Sequence, residues 1–207
     1  VAATLLDLVT TPGGERATQL LHGERFTVYD ERDGLAWGQA EMDGYVGYVA
    51  AGGLGPSQGR GRRVTALWSQ VYARPAIRAA VEMDLPYLAE VPVAGTTAGF
   101  ARLRGGGHVP LPHLAPAGDD FVAEAERFVG VPYLWGGRSA RGIDCSGLVQ
   151  VALLGTGRPG PRDSDMQAMG LGATLDPRAD DLRRGDLVFW KGHVGMLADP
   201  ETLVHAS

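Results

Sequence analysis

The chain has 207 residues, a formal net charge of −5 at neutral pH, 44% hydrophobic residues and 21% charged residues, which is ordinary for a globular protein. The negative charge, and the lack of a basic stripe with interleaved aromatic residues, argue against a nucleic-acid-binding protein. No stretch approaches the roughly 18 apolar residues of a membrane span. We therefore expect neither a nucleic-acid partner nor a membrane span.

The beginning of the chain is rich in short strand patterns separated by turn signals. Residues 24–29 and 34–40 are typical strand segments, and Asp43-Gly44 marks a hairpin turn before the alternating residues 46–50. A glycine-rich stretch at residues 52–61 is predicted to be a linker. We interpret residues 1–60 as one small all-β barrel.

The same pattern recurs weakly after the predicted linker. Strand-like residues 85–91 and 99–103 precede a turn of three glycines at residues 105–107, and residues 108–111 follow as a closing strand. The order of strands and turns matches that of the first barrel. We therefore interpret residues 61–116 as a second, divergent barrel.

The character of the chain changes after residue 116. Apolar residues at helical spacing predict a helix, and these are Phe121, Val122, Ala125, Phe128 and Val129. A second helical pattern begins at Cys145, and strand-like segments come last, at residues 186–190, 193–197 and 202–205. Helices followed by strands predict an α+β domain over residues 117–207.

Cys145 is the single cysteine, and it lies where a helix is predicted to begin. Asp144 is a favourable N-cap residue, so the sulfur is expected in the first turn, where free main-chain N–H groups and the helix dipole stabilise a thiolate. A lone cysteine can equally be a small buried hydrophobic residue, and this alternative stays open on the cysteine alone.

Two histidines provide candidates for the base that a cysteine nucleophile needs. His193 is predicted at the start of a strand and His205 on the next antiparallel strand, so the two side chains can face each other. Either histidine could be structural on its own, but the combination with Cys145 favours catalysis. Close metal-ligand spacings are absent, so we expect no metal and no cofactor, while the 24 carboxylates leave a glycosidase pair open.

The second half of the chain contains five motifs, at residues 132–137 (PYLWGG), 142–149 (GIDCSGLV), 183–190 (RRGDLVFW), 192–196 (GHVGM) and 203–206 (LVHA). With these motifs in this order, it resembles the NlpC-type cell-wall cysteine peptidases. The resemblance implies a papain-like fold with Cys145 as nucleophile, His193 as base and His205 as the orienting third residue. It also implies that the Tyr133 hydroxyl and the Cys145 main-chain N–H hold the oxyanion.

The implied reaction is hydrolysis of the bond between γ-D-glutamate and a diamino acid, meso-diaminopimelate or lysine, in peptidoglycan stem peptides. The barrels resemble bacterial SH3-like domains, as in the subgroup that requires a free N-terminal L-alanine. This subgroup implies substrate contacts from Asp144, Ser146, Arg162, Asp163, Ser164, Glu24 and Tyr45. Asp163, Glu24 and Tyr45 are assigned to the alanine amine, Ser146 and Ser164 to the D-glutamate carboxylate, and Arg162 to a supporting position.

Several of these residues can instead have structural roles, and other functions stay open. Glu24 can be a solvated hairpin charge, Tyr45 a core aromatic and Asp144 mainly a helix cap. The runner-up functions are an amidase or acyltransferase of the same fold, and a non-catalytic wall-binding module. A requirement for a free amine suits recycling of murein peptides, which, with no signal peptide visible, favours the cytoplasm over the periplasm.

Overall fold

A computed structural model describes residues 1–116, 118–176, 178 and 181–207. The chain divides into two compact units, Val1–Pro116 and Ala117–Ser207. Strands make up the first unit, whereas helices and a small sheet make up the second. Within the described residues, no helix is long and apolar enough to cross a membrane.

The first unit begins with a five-stranded antiparallel sheet. Its strands are β1 (Leu5–Val9), β2 (Arg16–Leu21), β3 (Phe26–Arg32), β4 (Leu35–Ala40) and β5 (Val46–Ala50), in the spatial order β2-β1-β5-β4-β3. The β3–β4 hairpin turns at Asp33-Gly34, and both residues have positive φ, as a tight two-residue turn requires. Leu8, Leu20 and Val49 are buried in the core of this sheet.

A second sheet follows in the same unit. The strands of this region are β6 (Arg62–Arg63), β7 (Trp68–Tyr72), β8 (Val81–Pro86), β9 (Glu90–Val91), β10 (Val93–Thr97), β11 (Phe100–Leu103) and β12 (His108–Pro110). Five of them form a sheet in the order β10-β11-β12-β7-β8, and β6 pairs with β9. If β7, β8, β10, β11 and β12 are numbered one to five, this sheet has the same strand order as the first sheet.

One strand prediction in this region is wrong. Residues 85–91 are not a single strand, because β8 ends at Pro86 and the chain turns before β9. Leu88 has a φ of 68°, and the Ala89 N–H donates to the Pro86 carbonyl oxygen. The continuous apolar run reflects burial on a turn that packs into the core, since Leu85, Leu88 and Ala89 are all buried.

The second unit places a buried helix against a three-stranded sheet. Its elements are α1 (Phe121–Glu126), β13 (Arg138–Ser139), β14 (Gly142–Ile143), α2 (Cys145–Gly155), α3 (Ser164–Gly170), β15 (Leu187–Trp190), β16 (His193–Asp199) and β17 (Thr202–Val204). Strand β16 is central, between β15 and β17. Every residue of α2 is buried, and α2 packs against β16 and α1.

The first helix of this unit is shorter than its apolar pattern predicts. Asp120 caps α1 by accepting from the N–H groups of Val122 and Ala123, but the helix ends at Glu126. Val129 is consequently 75% exposed, although the pattern predicted it on the buried face. The chain leaves the helical path there, and Gly130 follows with a φ of 91°.

The turn after β2 approaches β9 so closely that only glycine fits. The Glu90 N–H donates to the His22 carbonyl oxygen over 2.9 Å, and the next residue, Gly23, has a φ of 85°. A Cβ at Gly23 would overlap the Glu90 carbonyl group, whereas a Cβ at Gly13, which has a φ of 73°, would meet no atom. The close approach of this turn to β9 therefore depends on Gly23.

We expect Gly23→Ala to destabilise the first unit more than the control Gly13→Ala. Both carry the left-handed backbone strain of about 1 kcal/mol, and Gly23→Ala adds an overlap worth about 1–3 kcal/mol. Hydrogen-exchange mass spectrometry of a β2 peptide measures the opening of this unit. Equal exchange rates in the two variants would contradict the close approach.

Candidate active site

Cys145 is the first residue of α2, and it is a free cysteine that is 6% exposed. Asp144 precedes it in an extended conformation, and its Oδ1 accepts from the Gly147 N–H over 2.7 Å. This bond caps the helix, as the sequence predicts. The sulfur therefore lies in the first helical turn, at the positive end of the helix dipole.

A buried ion pair fixes the start of this helix. Asp144 Oδ2 accepts from Arg162 Nη2 over 2.6 Å and from the Gly136 N–H over 2.8 Å. Arg162 also donates from Nη1 to the Ser146 hydroxyl over 2.9 Å, and its side chain is 2% exposed. Asp144, Ser146 and Arg162, three of the predicted substrate-binding residues, thus lie together beside Cys145.

Gln167 supports the same site and was not singled out from the sequence. Its Nε2 donates to the Ser146 and Pro161 carbonyl oxygens, each over 2.9 Å, and its side chain is fully buried. The sequence carries no local signal for the contact with Ser146, because the two residues are 21 positions apart. The side chain ties α3 to the residue after the cysteine.

His193 and His205 are brought into direct contact by the pairing of β16 with β17. His193 begins β16 and His205 follows β17, and His193 Nε2 lies 3.1 Å from His205 Nδ1. The ring centroids are 5.3 Å apart and the planes are nearly perpendicular. Because Nε2 of His193 is engaged, its Nδ1 is the nitrogen left for another partner.

The surroundings of His193 favour its neutral form. Burial lowers the pKa of His193, and the neighbouring His205, whose positive charge repels a second one, lowers it further. Asp144 acts in the opposite direction and raises it. A histidine that stays neutral near physiological pH can accept a proton from a thiol.

Tyr133 lies on the segment that pairs with the residues just before Cys145. It forms an isolated bridge with Ile143, and its side chain is 40% exposed. Burial and the negative charges of Cys145 and Asp144 raise the pKa of Tyr133. The phenol is thus held protonated near the cysteine, as a hydrogen-bond donor must be.

Four further residues are predicted for the site, namely Asp163, Ser164, Glu24 and Tyr45. Asp163 is at the N-cap position of α3 and Ser164 is its first residue, immediately after Arg162. Glu24 and Tyr45 belong to the first unit, where Glu24 Oε2 accepts from the Leu21 N–H over 2.9 Å and Tyr45 packs against the core of the first sheet. Their assignment to a substrate amine stays a prediction.

Metal chemistry has no candidate centre in the part of the chain that the structure describes. No group of three or more histidine, cysteine, aspartate or glutamate side chains there could hold a metal ion.

Two protein-family models match the chain. The model described as the bacterial dipeptidyl-peptidase Sh3 domain matches residues 8–54, and the NlpC/P60 family model matches residues 130–207. A solved NlpC/P60 family protein from Bacillus cereus ATCC 10987 has a TM-score of 0.83 and 21% identity, over 99% of this chain and 89% of that one. At this identity the likeness shows the fold.

Curated relatives agree with these models. The γ-D-glutamyl-L-lysine dipeptidyl-peptidase of Bacillus subtilis (strain 168) is 31% identical over 143 residues, which are 60% of this chain and 47% of the relative. The protein of the same name from Bacillus cereus is 35% identical over 99 residues, 44% of this chain and 29% of the relative. The probable endopeptidase NlpC of Escherichia coli is 38% identical over 86 residues, 38% of this chain and 54% of the relative.

The chain thus spans about half or less of the length of these curated relatives. The family can therefore be assigned to the two matched segments of the chain. Residues 130–207 are a domain of the NlpC/P60 family of cell-wall peptidases, which are generally cysteine peptidases, and residues 8–54 are a bacterial SH3 domain.

Proposed function

We propose that the chain is a cysteine endopeptidase that hydrolyses the bond between γ-D-glutamate and a diamino acid, meso-diaminopimelate or lysine, in peptidoglycan stem peptides. The observation that carries the proposal is a cysteine at the start of α2, with a histidine pair on the sheet that packs against this helix. The names of the two Bacillus relatives support the γ-D-glutamyl bond as the target.

The reaction begins with transfer of the Cys145 proton to His193 Nδ1. For Nδ1 to accept, the neutral ring must carry its hydrogen on Nε2, and this hydrogen then donates to His205 Nδ1 across the 3.1 Å contact. His205 in this way selects the productive tautomer of His193. The same bond survives when His193 becomes an imidazolium, because both ring nitrogens then donate.

The thiolate attacks the γ-carbonyl carbon of D-glutamate, and the carbonyl oxygen takes the negative charge. The Tyr133 hydroxyl and the Cys145 main-chain N–H donate to this oxygen, and such fixed donors are typically worth about 3–4 kcal/mol each. His193 returns the proton to the leaving amine of the diamino acid. Water then attacks the thioester with His193 as base, which releases the acid and restores the thiol.

The residues around Arg162 are assigned to the part of the substrate before the cleaved bond. The hydroxyls of Ser146 and Ser164 suit the α-carboxylate of D-glutamate, Arg162 supports Ser146 through a 2.9 Å hydrogen bond, and Asp163 suits the free amine of L-alanine. Glu24 and Tyr45 are the first-unit residues that we assign to the same amine, and Asp144 acts through Arg162. A free-amine requirement fits released peptides, so we propose a role in murein recycling in the cytoplasm.

We expect the chain to cleave L-Ala-γ-D-Glu-meso-diaminopimelate into L-Ala-D-Glu and the free diamino acid, as mass spectrometry of the products would show. Cys145→Ala, with an unchanged circular-dichroism spectrum, should abolish turnover because no other thiol is present. Cleavage of a different amide in the peptide would instead support the amidase alternative. Normal hydrolysis by Cys145→Ala would end the proposal.

The amine assignment predicts a selective effect of Asp163→Asn. This change should lower kcat/KM for the free peptide about tenfold or more, because one carboxylate partner of the ammonium is lost. The peptide acetylated at alanine should be a poor substrate for both proteins. Asp165→Asn, which removes the same charge on the exposed side of α3, is the control and should leave kcat/KM unchanged. A similar loss in both variants would reject the assignment.

The histidine pair predicts the direction of a pH effect. Since His193 must be neutral to accept a proton and its pKa is lowered, kcat/KM should persist below pH 6.5 and fall only as the pH drops through that lowered pKa. His205→Asn keeps a hydrogen-bond acceptor for His193 Nε2 but removes the positive charge that His205 can carry. The pKa of His193 should then rise, and the acid limb of the kcat/KM profile should move to higher pH. If the acid limb stays in place or moves to lower pH in His205→Asn, His205 does not lower the pKa of His193.

A further inference from the structure

Trp190 makes a ring cluster with both histidines. It is the last residue of β15 and lies directly opposite His193 in the β15–β16 hairpin. The indole and the His193 imidazole have centroids 4.5 Å apart and planes inclined by 37°. The same indole meets the His205 ring at 5.9 Å and 68°. No role assigned so far uses this contact.

Core packing does not account for the position of Trp190. The burial of β15 alternates, so that Leu187 and Phe189 are half-buried whereas Val188 and Trp190 are exposed. Trp190 is 44% exposed to solvent, and its described ring contacts are with the two histidines. The indole therefore covers imidazoles rather than filling the interior.

We propose that Trp190 is a positioning residue that holds the His193 ring in the orientation for proton transfer. The proposal rests on the proposed function, in which His193 Nε2 stays on His205 while Nδ1 receives the Cys145 proton. The hydrogen bond to His205 fixes one edge of the imidazole, and the indole face limits rotation about the bond to the ring. Two independent contacts thus define a single ring orientation.

The indole also favours the charged form that His193 adopts after proton transfer. The face of an indole carries negative charge from its π electrons and attracts a cation within about 6 Å of its centroid. The 4.5 Å separation from the His193 ring is inside this range. Trp190 therefore stabilises the imidazolium at the moment when the thiolate forms, without touching the reacting atoms.

The experiment compares Trp190→Leu, Trp190→Phe and the control Val188→Ala. Val188 lies on the same strand and the same exposed face but makes no described ring contact. Two measurements are made at pH 7 on each protein, after thermal melting has shown that it is folded. One is kcat and KM for the L-Ala-γ-D-Glu-meso-diaminopimelate peptide, and the other is the rate of Cys145 alkylation by iodoacetamide, which needs no substrate.

Trp190→Leu should lower both kcat and the alkylation rate by about tenfold to a hundredfold, the usual cost of a misplaced catalytic group. KM should stay within about twofold, because the indole does not bind substrate, and Trp190→Phe should recover most of the loss because it restores an aromatic face. Val188→Ala should match the wild type. If Trp190→Leu does not fold, Trp190→Met replaces it, since it is also apolar and lacks a ring.

Unchanged alkylation in the ringless variant would overturn the positioning role, as would a loss confined to KM, which would make Trp190 a substrate contact. Failure of the proposed function has a different signature. In that case the wild type cleaves no γ-D-glutamyl peptide, while the alkylation rates still separate Trp190→Leu from Trp190→Phe.

Discussion

The buried carboxylate of Asp144 is the interaction on which the candidate site depends. Burying a charged carboxylate is unfavourable unless each of its oxygens receives hydrogen bonds from well-placed donors. Here Oδ1 accepts from the Gly147 N–H, and Oδ2 accepts from Arg162 and the Gly136 N–H. Loss of one partner of such a pair typically costs about 3–5 kcal/mol, because the other charge stays buried.

This carboxylate connects three segments that are separate in the sequence. It caps the helix that begins at Cys145, holds the loop at Gly136 that follows Tyr133, and anchors Arg162 before α3. Close backbone packing makes the arrangement tight, because a side chain at Gly147 would overlap the Gly137 carbonyl oxygen. One buried charge therefore positions Cys145, the segment that contains Tyr133, and Arg162.

The histidine side of the site obeys a different constraint. His193 Nε2 lies 3.1 Å from His205 Nδ1, and a positive charge on one ring opposes a positive charge on the other. Burial and His205 lower the pKa of His193, and the pair is held by strand pairing rather than by a core. The exposed indole of Trp190 supplies the packing that the strands alone do not give.

The two five-stranded sheets of the first unit have the same strand order but different local sequences. The order β2-β1-β5-β4-β3 in the first sheet corresponds strand for strand to β8-β7-β12-β11-β10 in the second. The turn at residues 87–89 and the β6–β9 pair distinguish the second copy. The topology is thus preserved while the connections differ.

Local pattern was sufficient for the features that depend on neighbouring residues. The Asp144 cap, the buried helix that starts at Cys145, the strand that begins at His193 and the strand that ends just before His205 follow from capping preference, helical periodicity and alternation. The motifs around these residues also identified the NlpC/P60 domain. Sequence alone overextended α1 to Val129 and read residues 85–91 as one strand, because apolar residues on a turn and on a strand look alike.

Tertiary structure decided what depends on residues far apart in the chain. The Arg162 ion pair with Asp144 spans 18 residues, and Gln167 reaches Ser146 across 21 residues. Neither contact has a local signal, because a buried polar side chain is specified by its partner and not by its own spacing. The contact of Trp190 with both histidines likewise arises only when β15, β16 and β17 pair, since strand register determines which rings meet.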